Sequence, residues 1–157
     1  MLVSFKRLVF KTVTAISLGT LIGVMGGCAT APGSQFKDFT TPKSGQSQLY
    51  IYRASSIFAS GMSMPVFVDN NKVGDLYNGS FLKLETTPGK HHVKIDTTAM
   101  GKSAEADIEV TENKNFFYQL EYPTGILANS FFIGINLTPK DIVTAKEEMK
   151  ELKSAQQ

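Results

Sequence analysis

From Gln48 onward the chain runs in short stretches of alternating apolar and polar residues, each followed by turn-forming residues. The clearest stretch covers residues 103–110 (SAEADIEV), where every second residue is apolar and the residues between are acidic. A period of two predicts a β-strand with one buried and one solvent-facing side. About eight such stretches, spaced roughly 8–12 residues apart, predict a mainly β fold, an antiparallel β-sandwich of about seven to eight strands. The polar faces argue against a parallel sheet covered by helices.

The chain ends in a segment with helical periodicity, residues 138–157. Thr138 is predicted as the N-cap, with Pro139 and Asp141 in the first turn, because these residue types favour helix starts there. One stripe of this helix is apolar: Ile142, Ala145, Met149 and Leu152. We therefore predict one C-terminal α-helix. It packs over an end or edge of the sandwich, binds a partner, or stays frayed.

A leader of different composition precedes these elements. Lys6, Arg7 and Lys11 are followed by an uncharged run of 14 residues over 12–25. This run is shorter than the ~20 residues that a spanning helix needs, so the layout predicts a secretory signal peptide. Removing residues 1–27 leaves 130 residues, a length typical of one domain, and changes the formal net charge from +2 to −1. No basic stripe remains, and we expect no nucleic-acid partner.

The leader ends at the only cysteine of the chain, in the sequence MGGC over residues 25–28. This sequence resembles a bacterial lipobox, although Met25 stands where leucine is usual. The resemblance implies that the leader is removed and that Cys28 carries the lipid, with palmitate as an acyl group. Ala29, in place of aspartate, implies an outer-membrane lipoprotein whose domain lies in the periplasm. The alternatives are a plain secretory signal cut near Ala29 or Ala31 and an uncleaved N-terminal anchor.

The segment after the cysteine lacks any apolar period. Residues 28–47 are rich in Ser, Thr, Gly and Pro, and we predict a flexible tether there. Phe36 and Phe39 are the exceptions that could dock on the domain. The β-sandwich domain is predicted over 48–137.

Arg53 is the polar residue that we select as a candidate site. In a strand it shares a face with Leu49 and Ile51, and an inward-facing arginine needs a partner. Asp69 and Asp75 are the nearest acids in a hairpin sheet, so we predict an ion pair, with Asp69 as the chosen residue. The alternative is that Arg53 holds the carboxylate or phosphate of a ligand.

The sequence contains few candidate ligands for a metal ion. His91 and His92 are adjacent in a strand and therefore point to opposite faces. Met62 and Met64 are two soft ligands without a third nearby in sequence. We expect no metal site and no cofactor. The chain has no nucleophile elbow, zinc-protease motif or phosphate-binding loop, so we predict no catalytic residues and no enzyme.

The strand region resembles a family of bacterial lipoproteins described only as a domain of unknown function. The motifs that carry the resemblance are LYIYR at 49–53, VFVD at 66–69, KVGDL at 72–76, NGSF at 78–81 and PGKH at 88–91. Ala54 departs from the proline usual after the arginine. The resemblance implies a lipid-anchored envelope β-domain without an established activity, similar to small accessory β-sandwich domains that bind or support.

These observations lead to one expected function and one alternative. We expect a lipid-anchored cell-envelope lipoprotein, held to the membrane through Cys28, whose non-catalytic sandwich binds or scaffolds a protein or peptidoglycan/glycan partner. The alternative is a periplasmic module that binds a small ligand or a metal. The apolar stretch 122–137 is either an interior strand with a covering loop or a surface patch for a partner or lipid.

Overall fold

The computed structural model of the chain describes residues 30–97, 102–122 and 135–156, so Cys28 and the leader lie outside the described residues. Within these ranges two β-sheets pack face to face around an apolar core, and the predicted mainly β sandwich is confirmed. The elements in chain order are β1 (Ser47–Arg53), β2 (Met64–Val68), β3 (Asn71–Leu76), β4 (Ser80–Thr86), β5 (Gly89–Ile95), β6 (Ala104–Val110), β7 (Asn115–Glu121), β8 (Asn136–Lys140), α1 (Ile142–Met149) and β9 (Lys153–Ser154).

The two sheets differ in strand direction. The four-stranded sheet, in the order β3-β2-β5-β6, is antiparallel throughout. The five-stranded sheet, in the order β8-β7-β1-β4-β9, contains two parallel pairs, β1 with β7 and β4 with β9. The antiparallel prediction therefore holds for most pairs but not for these two. The alternation of apolar residues shows which face of a strand is buried, and it carries no information about the direction of the neighbouring strand.

The predicted tight turn between β2 and β3 is present. Asp69 and Asn70 have φ angles of 50° and 65°, in the left-handed region that Asp and Asn tolerate better than most residues. This turn closes the antiparallel β2–β3 hairpin. It also places the Asp69 side chain beside β5.

β1 is the central strand of the molecule, and every one of its residues is buried. Leu49 and Ile51 face the core between the sheets, with Leu82 of β4 and other apolar residues. Tyr50 and Tyr52 point the other way, into a second cluster on the outer face of the sheet: Phe36, Phe81, Phe117, Ala145, Met149 and Leu152. A strand buried on both faces needs a cover on the outer side of its sheet.

The C-terminal helix supplies part of that cover. It begins at Ile142 rather than near Thr138, because Asp141 is the N-cap and accepts from the backbone N–H groups of Val143 and Thr144. Thr138 and Pro139 belong to β8 instead. The predicted apolar stripe is correct for Ala145, Met149 and Leu152, which are buried, but Ile142 is 54% exposed. Among the described residues, no helix is long and apolar enough to cross a membrane.

The N-terminal segment supplies the rest of the cover. Residues 33–36, which we expected in the flexible tether, hydrogen-bond to β9 and the turn before it: Gly33 N to Ser154 O (2.9 Å), Ser154 N to Ser34 O (2.8 Å) and Phe36 N to Leu152 O (2.8 Å). Phe36 and Phe39 dock in the outer cluster, as the sequence suggested. The segment is docked because these two rings and its backbone groups find partners on the sheet.

Candidate functional site

Arg53 ends β1 and is fully buried, on the same side of the sheet as Leu49 and Ile51. Its guanidinium group donates to three backbone carbonyls in the loop that follows. Nη1 donates to Met62 O at 2.9 Å, and Nη2 donates to Ala59 O at 2.6 Å and Phe58 O at 3.4 Å. One charged side chain thereby ties three loop carbonyls to the end of β1, and Ala59 O also accepts from Met62 N at 3.1 Å.

The predicted ion pair between Arg53 and Asp69 is wrong. Arg53 binds the loop, Asp69 binds β5, and Asp75 pairs with Lys72 at 2.9 Å. The physical reason is that backbone carbonyls accept from both Nη atoms of the buried guanidinium without burying a second charge. Burial lowers the pKa of Arg53, but an arginine still carries its proton at neutral pH.

Two parts of the Arg53 side chain, its Nε and Cζ atoms, lie outside the hydrogen bonds to the loop. Its Nε atom is buried without a hydrogen-bond partner among the described residues. Its Cζ atom lies 5.7 Å from the ring centre of Tyr122, within the range of a cation–π contact. A ligand role for Arg53 stays a prediction, and such a ligand would have to compete with the loop carbonyls for the Nη donors.

The loop that Arg53 holds, residues 54–63, presents two apolar side chains to solvent. Ile57 is 97% exposed and Phe58 is 47% exposed. Phe58 also contacts Tyr122, with the ring centres 5.3 Å apart and the rings nearly perpendicular. Because Arg53 holds three carbonyls of this loop, the loop backbone is ordered around the two exposed side chains.

Asp69 and His91 form the second cluster of ionisable groups. Asp69 Oδ2 lies 2.7 Å from His91 Nδ1, and Asp69 Oδ1 accepts from His92 N at 2.9 Å. The other ring nitrogen of His91, Nε2, lies 2.8 Å from Thr87 O. The nearest group to each ring nitrogen of His91 is therefore an acceptor, which favours the doubly protonated ring, and the Thr86 hydroxyl lies 3.3 Å from Nε2. The hydrogen bond from His91 lowers the pKa of Asp69, and the bond to Asp69 raises the pKa of His91.

The prediction that His91 and His92 point to opposite sides is confirmed. The His92 ring turns towards β6, with Nδ1 2.7 Å from Asp107 Oδ1. Met64 is buried in the core, whereas Met62 is only partly covered. In the part of the chain that the structure describes, no three His, Cys, Asp or Glu side chains form a group that could hold a metal ion.

Comparison with known proteins places these residues in a family. Residues 43–133 match the profile of the family described as "Protein of unknown function (DUF2846)". The chain belongs to this family. A protein of Haemophilus influenzae described as "Uncharacterized protein" is 26% identical to it, over 96% of this chain and 88% of the relative.

The DUF2846 match covers both clusters but not the whole structure. Arg53 with its loop and Asp69 with His91 lie inside the matched residues, and so do all the motifs that predicted the family. The residues before 43, which include the docked residues 33–40, lie outside the match, and so do helix α1 and strand β9. The outer cover of the five-stranded sheet is thus built from chain on both sides of the DUF2846 region.

Sequence reasoning selected Arg53 and Asp69 but missed their partners. The Asp69–His91 contact had a signal in the sequence: an acid in a tight turn and a histidine on a neighbouring strand. The loop carbonyls had none, because every residue carries a carbonyl and no side chain marks the ones that turn inward. The exposed pair Ile57 and Phe58 was visible only as two apolar residues in a loop of small residues.

Proposed function

We propose that this member of the DUF2846 family is a lipid-anchored cell-envelope lipoprotein whose β-sandwich binds or scaffolds an envelope partner without catalysis. The observation that carries the proposal is the leader that ends at the single cysteine, Cys28, in a lipobox-like sequence. Several acyl chains on one residue hold a protein to a membrane stably. Ala29 favours the outer membrane, with the domain in the periplasm.

The state of the ionisable groups supports a binding role over a catalytic one. Arg53 is engaged by loop carbonyls, His91 by Asp69 and Thr87, and His92 by Asp107. These contacts hold loops and strands together. Arg53 is fully buried and His91 holds both ring nitrogens against acceptors, whereas His92 stays partly exposed beside Asp107 and Glu105.

The partner surface that we propose is the loop 54–63, with Ile57 and Phe58 at its tip. The exposed apolar area of this loop is small. The partner is therefore a protein or a peptidoglycan-associated molecule that contributes most of the contact area. Arg53 fixes the loop from inside. The tip is therefore presented in one conformation before the partner arrives.

The anchor is tested by intact mass spectrometry of the protein extracted from cell membranes. We expect a chain that begins at Cys28 and carries the added mass of acyl chains, and we expect Cys28→Ser to remain as unprocessed precursor. A soluble chain that begins after residue 28 would overturn the proposal.

The partner surface is tested by crosslinking in intact envelopes. The double variant Ile57→Ser/Phe58→Ser should lose the crosslink to a partner identified by mass spectrometry. The matched control is Ile142→Ser/Val143→Ser, which removes another exposed apolar pair, 54% and 71% exposed, from helix α1. Equal crosslinking by both variants would show that the loop is not the partner surface.

A further inference from the structure

The chain is fixed to the domain within a few residues of Cys28. Ala31 is buried, and Gly33 and Ser34 hydrogen-bond to Ser154. An extended residue spans at most about 3.5 Å, so the three steps from Cys28 to Ala31 cover about 10 Å. If Cys28 is lipidated, which is our proposed function, the domain lies against the bilayer and does not hang from a long coil.

The docked residues also determine which part of the domain is near the bilayer. They run along β9, the edge strand of the five-stranded sheet, and pair with it through a bridge between Gln35 and Lys153. We propose that this edge, which consists of residues 30–37, β9 and the adjoining strand β4, is a membrane-contact surface, and that its partner is an anionic lipid surface.

The charges on this edge suit such a partner. Lys37, Lys83 and Lys153 are exposed, and Lys37 and Lys83 line one groove together with Ser34. Among the described residues, no carboxylate lies within ion-pair distance of these three lysines. Within the edge the acid is Glu85 on β4, which pairs with Lys43 at 2.7 Å. Asp38 lines the same groove and pairs with Lys146 at 3.0 Å, and Glu151 is exposed in the turn before β9. The edge as defined therefore carries three lysines against one acid. Unpaired lysines near an anionic bilayer are attracted to it.

The lysines of the four-stranded sheet are arranged differently. Lys72 lies 2.9 Å from Asp75, and Lys94 lies 3.7 Å from Glu105. Lys90 stands opposite Glu109 in the β5–β6 register. Charges that are balanced within the sheet contribute less attraction to a charged surface, so this sheet is the poorer candidate for the bilayer side.

The chain contains no tryptophan, so a single introduced tryptophan reports its own surroundings. We would place it at Ser34, on the β9 edge, and at Asn136, on β8 at the opposite edge of the same sheet. Both side chains are exposed and uncharged. Four strand spacings, about 19 Å, separate the two edges. The lipidated full-length protein is reconstituted in phosphatidylethanolamine–phosphatidylglycerol vesicles that carry a brominated-lipid quencher.

We expect a blue shift and strong quenching for Ser34→Trp and neither for Asn136→Trp, with unchanged melting of both variants. Replacing the three lysines by Gln should reduce this difference. Equal quenching at the two positions, or stronger quenching at 136, would overturn the proposed contact surface. The lipid anchor would still hold if the intact mass of the same protein includes the acyl chains. A blue shift at 34 that grows with protein density and resists the quencher would indicate a second copy of the chain and overturn the lipid partner. A chain without acyl mass would overturn both proposals.

Discussion

Asp69, His91 and Thr87 illustrate how single residues join separate parts of this fold. Asp69 lies in the β2–β3 turn, His91 lies in β5, and Thr87 lies in the connection between β4 and β5. The His91 ring bridges the Asp69 carboxylate and the Thr87 carbonyl, and both contacts need an N–H on the ring. Loss of one ring proton leaves one acceptor without its donor. The bridge is therefore complete only while His91 is protonated and Asp69 is ionised.

This bridge predicts a pH dependence of stability. The pKa of His91 is raised, so its contribution is fully present below the ordinary histidine value and is lost as the pH rises through the raised pKa. The pKa of Asp69 is lowered, so its contribution fails only in stronger acid. In urea unfolding, His91→Gln should lose more stability relative to wild type at about pH 5.5 than at about pH 8.5. His92→Gln is the control, and a difference independent of pH in His91→Gln would contradict the bridge.

The strands and turns could be predicted because their signals are local. Alternation places Leu82 inward, and the Asp69–Asn70 turn follows from residues that tolerate positive φ. The docked residues 33–40 could not be predicted in the same way, because they follow no period and owe their position to two aromatic rings and to backbone bonds with a distant strand. The start of α1 was placed three residues too early, since Thr138 has the residue type of a cap but its backbone pairs with β7. At Thr138 the long-range pairing of β8 with β7 overrides the local preference of threonine for a helix cap.

The docked segment predicts that Phe36 matters although it lies outside every strand. Phe36 is buried against Phe81, with ring centres 5.7 Å apart. Phe36→Ala should cost about 3 kcal/mol of unfolding free energy, the lower end of the range for a buried phenylalanine. It should also speed hydrogen exchange at the Ser154 amide, which donates to Ser34. Lys37→Ala is the exposed control, and equal exchange in the two variants would mean that the segment is held by its backbone alone.

At the scale of the whole molecule, β3 of the four-stranded sheet contacts β4 of the five-stranded sheet. A methyl group added to Gly74 would lie 2.8 Å from Leu82 Cδ2, closer than side chains pack, so the absence of a side chain in β3 makes room for a leucine of β4. Leu82 is fully buried and belongs to the core between the sheets. The spacing of the sandwich at this point therefore depends on the two residues together. Neither residue alone reveals this dependence in the sequence.

A double-mutant cycle tests this complementarity. Leu82→Ala should cost about 2–5 kcal/mol through lost burial and a cavity. Gly74→Ala should cost about 1–3 kcal/mol in the wild-type background, because the new methyl group overpacks the contact. In the Leu82→Ala background the same methyl group enters the space that the leucine side chain vacates, so Gly74→Ala should there be neutral or stabilising. Additive losses in urea unfolding would mean that β3 and β4 relax independently and that the contact does not set the distance between the sheets.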